Sequence, residues 1–119
     1  MTLERVRARC RSFPGVTEDI KWDGDLVFSV GGKMFTVVML DPPHRLSFKC
    51  DPEQFAELVE RDGIIPAPYL ARAKWVSIEQ PAEGPDWREV TEWLGHAYDL
   101  VRAGLPKKVQ LELPRRGRG

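Results

Sequence analysis

Only two cysteines and two histidines occur in the 119 residues, and that scarcity removes whole classes of chemistry. Cys10 and Cys50 are far apart and form no C-x-x-C pair of the kind a metal or dithiol site uses, so reduced thiols and no cofactor are expected. Long apolar runs are also missing. Nothing approaches the ~20 residues that cross a bilayer, and Met1 to Val6 lacks the apolar core of a secretory signal. A cytoplasmic protein with no membrane partner is expected. Net charge is absent too: 18 basic and 18 acidic residues cancel, which argues against an indiscriminate polyanion binder. No segment repeats another.

What is present is the composition of one globular domain, with 42% hydrophobic and 30% charged residues, expected over residues 1–113. PRRGRG at 114–119 lacks apolar side chains and is expected to be a flexible basic tail. The charges are segregated. Residues 1–15 carry four Arg against one Glu, and residues 105–119 carry five basic residues against Glu112. Residues 51–64 hold five acids against Arg61, and residues 81–104 hold five against two Arg. Basic ends therefore flank acidic helical segments, a distribution that orients local contacts.

The most informative stretch runs from Val30 to Pro52. Gly31-Gly32 separates Leu26–Val30 from Lys33–Leu40, and a Gly-Gly pair supplies the positive φ angles of a two-residue hairpin. Asp41-Pro42-Pro43-His44 then divides Lys33–Leu40 from Arg45–Cys50, because its prolines cannot donate ladder hydrogen bonds. Asp51-Pro52-Glu53-Gln54 follows as a cap, a proline and a Gln at N3, opening a helix. A three-stranded meander leading into a helix is predicted. Both alternating sets of Lys33–Leu40 are apolar: Met34, Val38 and Leu40 against Phe35, Val37 and Met39. Arg45, Ser47 and Lys49 alternate with Leu46, Phe48 and Cys50, so that strand has one wet face.

Around this stretch, Leu3, Val6, Cys10 and Phe13 recur at helical spacing, and Phe13-Pro14-Gly15 ends that helix. Val16 to Gly24 reads as a short edge strand and a turn. A helix over 52–61 turns Phe55, Leu58 and Val59 inward, Ile64 to Ala73 reads as irregular, and Lys74 to Glu79 reads as a strand. Asp86 and Glu89 open the longest helix, with the stripe Trp87, Val90, Leu94, Ala97 and Val101. Lys107 to Leu113 is expected as a last strand or a segment over the sheet. The fold class is α+β, an antiparallel sheet packed on one face by helices.

The motifs GGKMF at 31–35, LSFKCDP at 46–52 and LPKKV at 105–109 resemble, in order and spacing, the MmcQ/YjbR family of small bacterial proteins. The resemblance covers Val6 to about Leu113. It implies a CyaY-like (frataxin-like) two-layer sandwich and a DNA-binding role through two hairpin wings. Frataxin-like proteins place acids on the first helix for iron, whereas Arg5, Arg7, Arg9 and Arg11 occupy it here.

Few residues suit catalysis. Cys50 precedes a helix N-terminus that would lower a solvated thiol pKa, and it equally continues the inward Leu46, Phe48 alternation as a buried hydrophobe. His96 reads as a hydrogen-bonded structural side chain, and Glu18, Asp19, Asp23 and Asp25 as a solvated acidic loop rather than a metal site. No enzyme is expected. The candidate nucleic-acid contacts are Lys33, His44, Arg45, Lys49, Arg72, Lys74, Trp75, Lys107 and Lys108, basic residues beside the hairpins with Phe35 and Trp75 as aromatic platforms. The alternative is a protein partner, or a second copy of the chain, docking on an open sheet face formed by Phe35, Val37, Met39 and Trp75.

Overall fold

The computed structural model describes residues 1–114, so the expected basic tail lies outside the described residues apart from Pro114. Helix α1 (Leu3–Arg11) starts where the Thr2 hydroxyl accepts the Arg5 N–H at 3.2 Å, and it buries Val6 and Cys10. Strands β1 (Val16–Lys21), β2 (Asp25–Val30), β3 (Lys33–Met39) and β4 (Leu46–Lys49) then form an antiparallel meander. Gly31 and Gly32 sit at φ 58° and 79°, the left-handed turn their sequence called for. Helix α2 (Pro52–Leu58) is capped by the Asp51 carboxylate, which accepts the Gln54 N–H at 2.9 Å. Strands β5 (Ile64–Pro66) and β6 (Trp75–Ile78) complete a six-stranded sheet of order β1-β2-β3-β4-β6-β5. Helix α3 (Trp87–Ala103) crosses it, and α4 (Lys107–Glu112) closes the described chain.

Two assignments differ from the expectation. Ile64–Pro66, read as irregular, pairs with β6 as an edge strand, where a proline is tolerated at the last position. Lys107–Glu112 is a helix rather than a strand. Leu105, Val109 and Leu113 recur every four residues, which is a helical stripe, and they pack against the core. Leu105 lies over Gly31, where a Cβ would come within 2.6 Å of it, and Leu113 lies over Gly15. Both glycines also hold positive φ, so close approach and backbone conformation coincide there.

The helices seal one face of the sheet. Leu26, Phe28 and Val30 of β2, Val38 of β3, Leu46 and Phe48 of β4, and Val76 and Ile78 of β6 are buried beneath α1 and α3. The rings of Phe13, Phe35 and Tyr98 meet in tilted and edge-to-face contacts within this layer, with centroids 4.9–6.0 Å apart, and the Tyr98 hydroxyl donates to the Pro14 carbonyl at 2.7 Å.

Strict alternation fails in β3. The register passes from Phe28↔Thr36 to Ser29↔Met34, so Phe35 is an extra residue in a β-bulge. One inserted residue exchanges the faces of everything beyond it. Phe35 therefore turns into the helix-side core, fully buried, while Met34 joins Val37 and Met39 on the other side. The expected open-face set of Phe35, Val37, Met39 and Trp75 is corrected in its first member.

Candidate functional site

A meander necessarily puts successive turns at opposite ends. The Gly31-Gly32 turn and the Asp41–His44 loop are separated by the seven residues of β3, about 20 Å of strand. Lys33 lies at the first end. Lys49 and Lys74, at the ends of β4 and β6 nearest that turn, join it there with Arg72, and α4 brings Lys107 and Lys108 because Leu105 and Val109 pack on Gly31. His44 and Arg45 sit at the far end. Six of the eight basic candidates thus share one end of the sheet, and two do not.

Several of these side chains are already engaged. The Lys49 ammonium donates to the Ala73 carbonyl, Lys74 lies over the Phe55 ring at 5.1 Å, His44 Nδ1 is 3.0 Å from the Met39 carbonyl, and Arg45 is 3.8 Å from Glu79. Lys33, Arg72, Lys107 and Lys108 are exposed. Three of the four arginines of α1 are committed elsewhere: Arg7 and Arg11 donate to Glu18 at 2.9 and 2.7 Å, and Arg9 donates to the Thr91 carbonyl, while Arg5 is exposed. Neither proposed aromatic platform is accessible. Phe35 is in the core, and Trp75, paired with Lys49 on the face away from the helices, is only 4% exposed.

The face away from the helices instead holds a cleft of about 610 Å³. Met34, Val37 and Met39 of β3 form an apolar floor, extended by Ser47 and Ser77, whose hydroxyls are 2.6 Å apart. Ala67–Leu70, folding back after β5, forms one wall. It is anchored where the Ala67 N–H donates to the Trp75 carbonyl at 2.9 Å and the Trp75 N–H to the Leu70 carbonyl at 3.2 Å. Opposite lies the β1–β2 turn, where Gly24 N–H donates to the Lys21 carbonyl at 3.3 Å and Trp22 and Asp23 both hold left-handed φ, 48° and 62°. Trp22 and Tyr69 stand at the two margins, both exposed. Asp23, Asp25, Asp41 and Arg45 supply the charge. Burial pushes the Asp25 carboxyl above its usual range, and among the described residues no donor offsets that.

The groups considered for catalysis are occupied or inert. Cys50 is buried, and its thiol is pushed up to about 12 by burial first and by the neighbouring Asp51 charge second, so the helix N-terminus does not activate it. His96 Nε2 is 2.7 Å from Asp51 Oδ2, tying α3 to the start of α2. The four acids of 18–25 do not converge. Glu18 faces the helices between Arg7 and Arg11, while Asp23 and Asp25 line the cleft on the other face. No group of three or more His, Cys, Asp or Glu side chains among the described residues could hold a metal ion. No described helix is long and apolar enough to cross a membrane.

Sequence reasoning missed Trp22, Met34, Tyr69 and Asp41 as cleft residues. The available signal was a tryptophan inside an acidic Asp-Gly turn, a costly place for a large apolar side chain. Tyr69 and Met34 gave no such signal, because one depends on how Ala67–Leu70 folds back and the other on the bulge.

Comparison with known proteins places this architecture. The crystal structure of the Deinococcus radiodurans protein DR2400, described as a DUF419 domain, superposes with a TM-score of 0.87 at 30% sequence identity, covering 99% of this chain and 93% of that one. No curated protein matches the sequence. The YjbR family model matches residues 11–100, which takes in β1 to β6 and most of α3, and the chain belongs to the YjbR family.

Proposed function

We propose that this protein is a noncatalytic binding protein that receives its ligand in the cleft on the face of the sheet away from the helices. The observation that carries this reading is the cleft itself: about 610 Å³, floored by methionine and valine and bordered by exposed tryptophan and tyrosine. That volume lies in the range of small-molecule sites, which are apolar concavities with a few oriented polar groups. A binding rather than catalytic role is supported by the fate of the reactive side chains. The Cys50 thiol is raised, and His96 is engaged by a carboxylate. The Ser47–Ser77 hydroxyl pair lines the cleft without a histidine, and His44 meets a backbone carbonyl.

Two of the chain's three methionines, Met34 and Met39, line the cleft, and Met1 packs on the helix-side core. A protein labelled with ¹³C-methyl methionine is therefore its own reporter. Titration with a mixed set of aromatic fragments is expected to move the Met34 and Met39 methyl signals and leave Met1 in place. A set in which no fragment moves either signal removes the reading.

A second reading, DNA binding, is favoured by a separate observation, the gathering of Lys33, Lys49, Arg72, Lys74, Lys107 and Lys108 at one end of the sheet. The contact would be made by the Gly31-Gly32 hairpin and α4 with backbone phosphates, not by two wings together. Fluorescence anisotropy with duplex DNA at two salt concentrations tests it. Binding that weakens with salt and with Lys33→Ala/Lys107→Ala/Lys108→Ala is expected, and no binding at low salt ends this reading.

A further inference from the structure

We infer that the cleft selects small organic cations, amines with an apolar body, over neutral or anionic molecules of the same shape. This deepens the cleft reading above and rests on it. The argument is charge complementarity on an apolar surface. Three carboxylates, Asp23, Asp25 and Asp41, line one end, and none makes an ion pair or side-chain hydrogen bond with a described residue. The cations nearby do not balance them. Arg45 is drawn toward Glu79 at 3.8 Å, and Lys21, directly across from Asp25 in the β1–β2 register, forms no ion pair with it. An anionic ligand would face three negative groups and one shared guanidinium.

The rest of the cleft suits the other half of such a molecule. Met34, Val37 and Met39 offer polarizable and aliphatic contact to an apolar body. Trp22 and Tyr69 stand exposed at opposite margins, where their ring faces attract an ammonium group. Both hold left-handed backbone, φ 48° and 67°, which is unfavourable for large side chains in the absence of a compensating contact. Asp25, the first residue of β2, lines the cleft partly buried and makes no ion pair or side-chain hydrogen bond with a described residue, a position that a ligand ammonium would satisfy. A charge-assisted hydrogen bond there is about twice as strong as a neutral one.

Three compounds of one shape separate the outcomes: 1-naphthylmethylamine, 1-naphthalenemethanol and 1-naphthaleneacetate, each titrated against the ¹³C-methyl methionine signals. The amine is expected to bind about tenfold more tightly than the alcohol, with the acetate weakest. In Asp25→Asn/Asp41→Asn, two near-isosteric changes, the amine is expected to fall to within about twofold of the alcohol while the alcohol is unchanged; an unshifted Met1 signal checks that the variant is folded. If the alcohol or acetate binds as tightly as the amine, or if the double variant keeps the amine preference, charge selection is wrong and the cleft reading survives. If none of the three moves Met34 or Met39, both are wrong.

Discussion

The two faces of the one sheet differ more than its two ends do. Toward α1 and α3, the side chains of β2, β3, β4 and β6 are large and apolar apart from Thr36, whose hydroxyl donates to the Ser47 carbonyl, with three rings locked together and little solvent. Away from the helices the same strands carry Val27, Ser29, Met34, Val37, Met39, Ser47 and Ser77, small or flexible side chains interspersed with hydroxyls, with Trp75 buried at one end, under one short segment of irregular chain. The first face is built like a domain interior, where shape complementarity fixes a single packing. The second is lined with residues that adapt. Methionine and serine leave room, and the concavity results because no helix covers it. Stability and recognition are thereby assigned to opposite sides of one β-layer.

Urea unfolding of single variants would break or sharpen this contrast. The largest effect is expected for Phe35→Ala, about 3–5 kcal/mol, because the bulge drives that ring into the aromatic cluster. Met34→Ala, its neighbour turned to the cleft, should cost about 1 kcal/mol, and equal losses for the two would refute the division of faces. Next in size is Tyr98→Phe, about 1–2 kcal/mol, since the Pro14 carbonyl loses its donor in a buried setting; an unchanged midpoint would show that bond to be dispensable.

Carboxylates on the two faces should titrate with opposite sign. Burial raises the Glu18 carboxyl, but the hydrogen bonds from Arg11 and Arg7 outweigh it and hold the group below its usual range. A depressed folded pKa contributes stability above the unfolded value that is lost as pH falls through the folded one, here below about pH 4. Glu18→Gln is accordingly expected to cost about 1 kcal/mol at pH 7, held low by its partial exposure, and less at pH 3. Asp25 is raised by burial, so its folded form favours the proton, and stability is lost as pH rises through its folded pKa. Asp25→Asn should raise stability by about 0.5 kcal/mol at pH 7, the smallest effect, fading as the pH falls. A destabilised Asp25→Asn variant would mean that this carboxylate has a partner inside the fold.

Much of this architecture was readable along the chain. The Gly31-Gly32 turn, the Asp51 cap with Gln54 and the helical stripe of α3 are local events, each set by residues within a few positions of one another. His96 and Cys50 were also legible in their structural roles, because apolar alternation places Cys50 inward and a histidine on a half-apolar helix needs an acceptor. The candidate site was less accessible. Six of the basic candidates gather at one end of the sheet, but neither aromatic candidate is a surface residue: a single unpaired residue in β3 turns Phe35 to the helix side, and Trp75 of β6 is buried on the other face. The α4 helix was read as a strand or a covering segment through a similar ambiguity, a short run whose four-residue spacing matters only once Gly31 and Gly15 provide somewhere to pack.

By itself the sequence determined the elements from α1 to α2, the strand β6, the helix α3, the hairpin turns and the α+β class, because these depend on short-range sterics and hydrogen bonding. Only the tertiary structure decided which apolar set of β3 faces the helices and that Trp22, Tyr69 and three aspartates border one cleft. Those outcomes depend on strand register and on a wall folded back from residues 67–70. Both are settled by contacts between segments distant in sequence, whose energies no local pattern records.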